Sequence, residues 1–327
     1  MDPRVAAELA AHEGSDEELV DALFRLVLRR EAEPDARERA LAQLADGTLS
    51  RATLVHELAT SEEFRRVREL DDAVALGLAA RARGERIRWL QAPPGTDERV
   101  VEIPWVLSRL LAIGRVLEVG YAFAEPAYLA GLLRSGVELV GADLAARDVE
   151  GIETVAADVR SLPFPDRSFD QVLLVSTLEH VGADNTVYGL AAEADGEEAR
   201  LMALRELARI LRAGGSLLVT VPLGEPGEHG WFRQEDEQGW TSLLSRAGLF
   251  LEELELYELT QSGWRAAPSF DPHGVRYGER GPAASAVLCA DVSPGRLRRL
   301  LTPSGMRTVA RRRAARTYRH VRPHDLE

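Results

Sequence analysis

The chain has 327 residues, 45% of them hydrophobic and 28% charged, with a formal net charge of −13 and a single cysteine. This is the balance of a soluble globular protein with a sizeable core; it excludes an internal disulfide and argues against general nucleic-acid binding. No apolar run approaches the roughly 20 residues a membrane helix needs, and the acidic N-terminus lacks a signal-peptide core, so a cytoplasmic location is expected.

Residues 1–75 read as a small all-α domain. Ser15-Asp-Glu-Glu18 is a capping box, followed by Leu19, Val20, Leu23, Phe24, Val27 and Leu28 at helical spacing. Pro34 suits a second helix start, Ser50 caps a third, and Thr60 to Phe64 is expected to open a fourth. Residues 76–99 read as a linker, mostly a charged connecting helix over Asp71–Gln91 that gives way at Ala92-Pro-Pro-Gly-Thr96. Pro104 is expected to open an amphipathic helix.

From Arg115 the pattern changes. Val116 to Val119 is a short apolar run closed by Gly120, with a helix expected from Pro126. Further apolar runs end on Asp143 and Asp158, and another, Gln171 to Val175, opens onto Ser176-Thr-Leu-Glu-His-Val-Gly182. An amphipathic helix over Ala199–Leu211 leads to a fifth strand, Ser216–Val221. Strand, turn and helix at this spacing predict a doubly wound α/β sheet over residues 100–293, with ligands beyond the carboxyl ends of its strands. Gly120, Asp143, Asp158 and the segment Ser176–His180 all fall there. Residues 222–240 read as a loop holding His229, Trp231, Phe232 and Arg233, and Thr241 is expected to cap a helix. Phe250–Leu256 and Ala284–Val292 are strand candidates around an irregular stretch, 262–283. Cys289, in an apolar run, reads as a buried small hydrophobe. No Cys/His cluster has metal-site spacing. Residues 294–327 read as a tail: ten arginines and no carboxylate lie between Arg296 and Arg322. That tail reads as a docked helix, a polyanion or membrane-surface contact, or a disordered end.

These segments resemble a class I S-adenosylmethionine-dependent methyltransferase over roughly residues 100–293. The signature is Glu118-Val-Gly120, Asp143, Asp158-Val159, Leu162-Pro-Phe-Pro-Asp-Arg-Ser-Phe-Asp170 with Leu178-Glu-His-Val181, and Leu207 to Gly215. The resemblance implies a Rossmann-like methyltransferase sheet and S-adenosyl-L-methionine as cofactor. It places Glu118, Gly120, Tyr121, Ala122, Asp143, Leu144, Asp158, Val159 and Thr177 around that cofactor. The usual Gly-x-Gly-x-Gly loop reads Gly120-Tyr-Ala122-Phe-Ala124 here. Alanine resists positive φ, so a non-catalytic binding or scaffold protein on the same frame is the alternative. His180 is the candidate general base and His229 the second; each has a plainer reading, as a loop-orienting and a surface histidine. Trp231 and Phe232 are candidates to stack on a sugar ring or to anchor their loop, and Arg233 to hold an anionic substituent.

The stretch Ser176–Gly189, with Val221-Pro-Leu-Gly and His229-Gly-Trp-Phe-Arg-Gln, is similar to methyltransferases of polysaccharide biosynthesis. That implies a sugar or glycan hydroxyl as acceptor. Over residues 16–66 the chain resembles a small helical domain of unknown function found beside carbohydrate-processing enzymes. Expected partners are a small-molecule or glycan acceptor and a protein bound through the helical domain or the arginine-rich tail, with no specific nucleic acid.

Overall fold

The computed structural model describes Leu9, Ala11 and residues 13–190, 196–281 and 283–295. The chain divides into two compact units, Met1–Asp72 and Ala73–Glu327.

In the first unit, Ser15 and Glu18 form the capping box that starts α1 (Asp16–Leu23), which runs on through a π-helical turn, Phe24–Leu28. The wide turn ends at Arg29 with φ 56°. Helices α2 (Pro34–Ala45) and α3 (Arg51–Thr60) begin at Pro34 and at the Ser50 cap. Their apolar faces close on Leu19, Val20, Leu23 and Val27. The fourth helix, α4 (Glu62–Ala82), opens within Thr60–Phe64 as expected. Thr60 ends α3, and the hydroxyl of Ser61 accepts the Phe64 N–H at 3.0 Å, so Ser61 caps α4. The connecting helix expected over 71–91 is the second half of α4 and stops at Ala82. The residues after it are packed into the body, with Ile87 and Leu90 buried. Arg81 donates to the carbonyls of Leu110, Leu111 and Ser135.

The second unit is an α/β sheet flanked by helices. Helix α5 (Arg99–Leu107) starts five residues ahead of Pro104, which lies inside it. Helix α4 passes close to it: a Cβ on Gly77 would sit 2.9 Å from Pro104 Cα. Strand β1 (Arg115–Val119) leads through the Gly120 turn into α6 (Pro126–Arg134), then β2 (Glu138–Asp143), β3 (Glu153–Ala156) and β4 (Phe169–Val175). Helix α7 (Gly196–Ile210) precedes β5 (Leu211–Pro222). A short hairpin, β6 (Gly227–Glu228) and β7 (Arg233–Gln234), interrupts the expected loop. Helix α8 (Glu237–Arg246) is capped by Asp236, whose carboxylate accepts from Gly239 N–H at 2.7 Å; Thr241 sits inside, its hydroxyl bonding back to Glu237. Strands β8 (Leu249–Thr260), β9 (Gly263–Ala266) and β10 (Ala286–Pro294) complete the sheet, β9 lying within the stretch expected to be irregular.

The strand order is β3-β2-β1-β4-β5-β10-β8-β9. The first five strands run parallel, and β10 enters antiparallel between β5 and β8. The order reverses between β1 and β4, which opens a crevice at their carboxyl ends. Asp170 stands at the opposite end of β4 and is structural: it accepts the Arg115 N–H at 2.9 Å and pairs with Arg212 at 2.5 Å. Cys289 is fully buried in β10. The arginine-rich tail from residue 296 lies outside the described residues.

Candidate active site

A cavity of about 220 Å³ fills the crevice beyond β1, β2 and β4. Glu118, Gly120, Asp143, Leu144, Asp158, Val159, Thr177 and His180 all line it.

The loop after β1 explains itself residue by residue. Gly120 has φ 86°, and a Cβ there would meet Thr177 Oγ1 at 2.5 Å, so both backbone angle and space require glycine. The next turn, Tyr121–Phe123, is 3₁₀; Ala122 is not among the positive-φ residues, and Ala124 has φ −69°. Alanine therefore fits at 122 and 124 without a positive φ. Tyr121 and Ala122 hold the loop from behind and do not line the cavity. The Tyr121 ring packs on Gly141, while its hydroxyl donates to the Arg147 carbonyl at 2.7 Å and accepts the Arg147 N–H at 2.9 Å.

Asp143 ties this loop to the end of β2. Its Oδ2 accepts the Ala122 N–H at 3.0 Å and its Oδ1 the Ala145 N–H at 2.8 Å. Each oxygen retains a lone pair, enough to accept a pair of vicinal hydroxyls. Asp158 is gripped by Arg160, at 2.5 Å from guanidinium to carboxylate and 2.8 Å from the Arg160 N–H. Burial pushes its carboxyl up, but those bonds prevail and hold it below the usual range.

At the other end, beyond β1 and β4, the surroundings are charged and aromatic. Thr177 Oγ1 lies 3.2 Å from the Val119 carbonyl and 3.0 Å from that of Val175, joining the two strand ends. Ser176 is held at φ 41° with its hydroxyl donating to Glu102 at 2.7 Å, a strained position at the cavity wall. His180 Nδ1 lies 2.9 Å from the Trp231 carbonyl. A carbonyl only accepts, so Nδ1 carries the proton and Nε2 keeps its lone pair. Burial pulls the imidazole down to about 4, with the Trp231 carbonyl opposing, so the ring is neutral near pH 7. Trp231 stacks on His180 with centroids 5.0 Å apart, and Tyr188 meets it edge-on at 5.6 Å.

Other expected residues stand elsewhere. His229 does not reach the cavity; the β6–β7 hairpin turns it onto Phe232, with centroids 4.5 Å apart and planes 6° apart. Phe232 is 2% exposed, an anchor for the hairpin and not a platform for a ligand. Arg233 is already engaged by Glu228 at 2.9 Å and Glu235 at 2.7 Å and takes no part in the cavity wall. Two cations line the cavity, Arg160, which holds Asp158, and Arg99, unforeseen because it fell at the end of the stretch read as a linker. It pairs with fully buried Glu102 at 2.5 Å, and 27% of its side chain is still reachable. Tyr128, whose hydroxyl donates to Glu118 at 2.9 Å, and the lip residues Phe123 and Tyr188, 4.8 Å apart, were likewise missed.

A family model described as a methyltransferase domain matches residues 117–219, and a domain of unknown function (DUF4214) matches residues 5–67. The bovine (Bos taurus) protein described as probable tRNA methyltransferase 9B is 26% identical over 169 residues, 50% of this chain and 32% of that protein. The chain thus spans about a third of the length of the curated relatives it matches. Among solved structures, 1,6-didemethyltoxoflavin-N1-methyltransferase of Burkholderia thailandensis, with bound S-adenosylhomocysteine, is 16% identical over 81% of this chain and 92% of that one, with a TM-score of 0.40. A Haloferax volcanii putative methyltransferase in complex with the Trm112 activator is also 16% identical, over 78% of this chain and 97% of that one, with a TM-score of 0.39. Residues 117–219 carry a methyltransferase domain, of the kind that takes its methyl group from S-adenosylmethionine.

Proposed function

We propose that this chain transfers a methyl group from S-adenosylmethionine to a hydroxyl of a sugar or glycan. The observation that carries the reading is the single tautomer of His180, its Nδ1–H fixed on the Trp231 carbonyl and its Nε2 lone pair left free on a side chain that lines the cavity.

The residues present fit the cofactor. Gly120 brings bare backbone to the cavity wall, Asp143 has lone pairs for the ribose hydroxyls, and Arg99 offers a cation to a carboxylate. The cofactor supplies an electrophilic methyl group on a sulfonium, so positioning accounts for most of the acceleration. His180 then has one task, to take the acceptor's proton. A base as weak as this imidazole does not ionise a free hydroxyl, and it does not need to: an oxygen bonded to an incoming methyl while keeping its proton is a strong acid. The half-buried ring of Trp231 is outside the cavity lining but stacks on His180, which lines it, and is the aromatic surface we assign to the apolar face of a pyranose. The Ser176–Gly189 resemblance to polysaccharide methyltransferases leans the same way. No helix among the described residues is long and apolar enough to cross a membrane. The helical unit offers the surface through which we expect a protein partner to bind.

An acceptor screen tests the reading. The full-length chain is supplied with S-adenosylmethionine carrying a radioactive methyl group and offered sugar nucleotides, oligosaccharides and bulk tRNA, the last chosen for the relatives' description. The expected result is label in an acid-stable sugar methyl ether. Label in tRNA alone would contradict it.

A further inference from the structure

This inference rests on the proposed cofactor site and concerns how one of its cations is held. Glu102, in the first turn of α5, is 0% exposed and does not itself line the cavity. Each of its carboxylate oxygens is bonded to a residue that does. Oε2 accepts from Arg99 Nη1 at 2.5 Å, and Oε1 accepts the Ser176 hydroxyl at 2.7 Å. One buried carboxylate thus joins two parts of the cavity wall, one carried by the helix ahead of β1 and the other by the turn after β4.

Both bonds restrain groups with freedom to lose. Ser176 keeps φ 41°, a left-handed angle that a serine holds only where its surroundings fix it, and its N–H is tied to the Thr220 carbonyl at 3.0 Å. An arginine side chain is rich in rotamer entropy, and the bond to Glu102 removes part of it before a ligand arrives. That bond uses Nη1. Nε and Nη2, which form the flat fork that matches a carboxylate, are left for a ligand, and 27% of the side chain is within reach of one. The other cation of the wall has no such fork to offer. Arg160 gives its Nε and Nη2 to Asp158, at 3.0 and 2.5 Å.

We propose that Glu102 is a positioning residue: it holds one edge of Arg99 so that the other edge meets the carboxylate of the cofactor's methionine part, and it thereby sets the preference for a ligand that carries that carboxylate. The opposite sign is what charge alone would give. A carboxylate beside Arg99 neutralises it, so removing Glu102 would strengthen the pull on a second carboxylate. Support and charge thus predict opposite effects of the same substitution. Support prevails because the guanidinium has other places to go: Glu98 and Glu179, both buried, attract it as well. Released from Glu102, Arg99 turns toward them and its fork leaves the ligand.

The test is calorimetric titration of the full-length chain with S-adenosylhomocysteine and with its decarboxylated analogue, which keeps the adenosine, the sulfur and the ammonium. The wild type is expected to prefer the carboxylate-bearing compound by about thirtyfold, and Glu102→Gln, which keeps the size and removes the charge, to lower that preference to about threefold. Arg99→Lys, which keeps the charge and loses the fork, should lower it likewise; placed at the cavity, it also decides the matter if Glu102→Gln does not fold. A wild type that binds the two compounds equally overturns the inference and leaves the cofactor reading standing. So does a Glu102→Gln chain whose preference is unchanged or larger, whether or not both affinities fall, and so does an Arg99→Lys chain with the wild-type preference. A wild-type chain that binds neither compound overturns both.

Discussion

Replacing Asp143 by alanine should weaken binding of S-adenosylmethionine and S-adenosylhomocysteine alike by about a hundredfold, or about 2.8 kcal/mol. The carboxylate has two duties. It accepts the N–H groups of Ala122 and Ala145, and it is the acceptor we assign to the ribose hydroxyls. Without it a buried N–H in the turn after Gly120 loses its partner, at a cost of about 1–3 kcal/mol, and the turn loses its tie to β2. The melting temperature should therefore fall along with affinity. Asp143→Asn separates the two duties: an amide has one carbonyl oxygen and can hold only one of the two N–H groups as the carboxylate does. It should recover part of the stability and less of the affinity. Titration calorimetry and thermal melts read the two effects, and an alanine variant of unchanged affinity would remove the ribose assignment.

His180→Ala should lower kcat by about a hundredfold or more while cofactor affinity changes severalfold at most, as expected where a proton acceptor is lost. The pH profile adds a second reading. Because burial holds the imidazole at about 4, its protonation should leave kcat/KM level from pH 8 down to about 5.5 and produce an acid limb only below that. The same shift has a stability consequence. Unfolded histidine binds its proton near its ordinary value of 6.5, so stability is fully present above that pH and is lost as pH falls toward about 4. A variant with near-wild-type turnover would leave His180 as a loop-orienting residue, a role its bond to the Trp231 carbonyl also permits.

The sheet was legible in the sequence because a buried parallel strand leaves an apolar run closed by a residue that the turn demands. Gly120, Asp143 and Asp158 marked three strand ends in this way, and the cavity lies against all three. Local signals misled where tertiary packing prevailed. Pro104 looked like a first-turn proline, yet it sits within α5, which begins at Arg99 and packs closely against Gly77. Thr241 looked like a cap, but Asp236 had already started α8. The loop 222–240 held its functional-looking side chains for its own structure, with His229 on Phe232 and Arg233 between two glutamates. What could not be read was long-range assembly. Arg99 and His180 are 81 positions apart, and nothing in the spacing of either stretch says that they line one cavity. Tyr277, part of the aromatic group with Trp231 and Phe232, came from a stretch that showed no pattern at all.

The central claim is that the rim formed by Gly120, Asp143 and the end of β4 holds an adenosyl group. The most direct measurement is a crystal structure of the full-length chain grown with S-adenosylhomocysteine. The account predicts the ribose hydroxyls on the Asp143 carboxylate, the nucleoside against the Gly120 turn and the sulfur at the His180 end. Density for the compound elsewhere, or a rim left empty at saturating ligand, would contradict it.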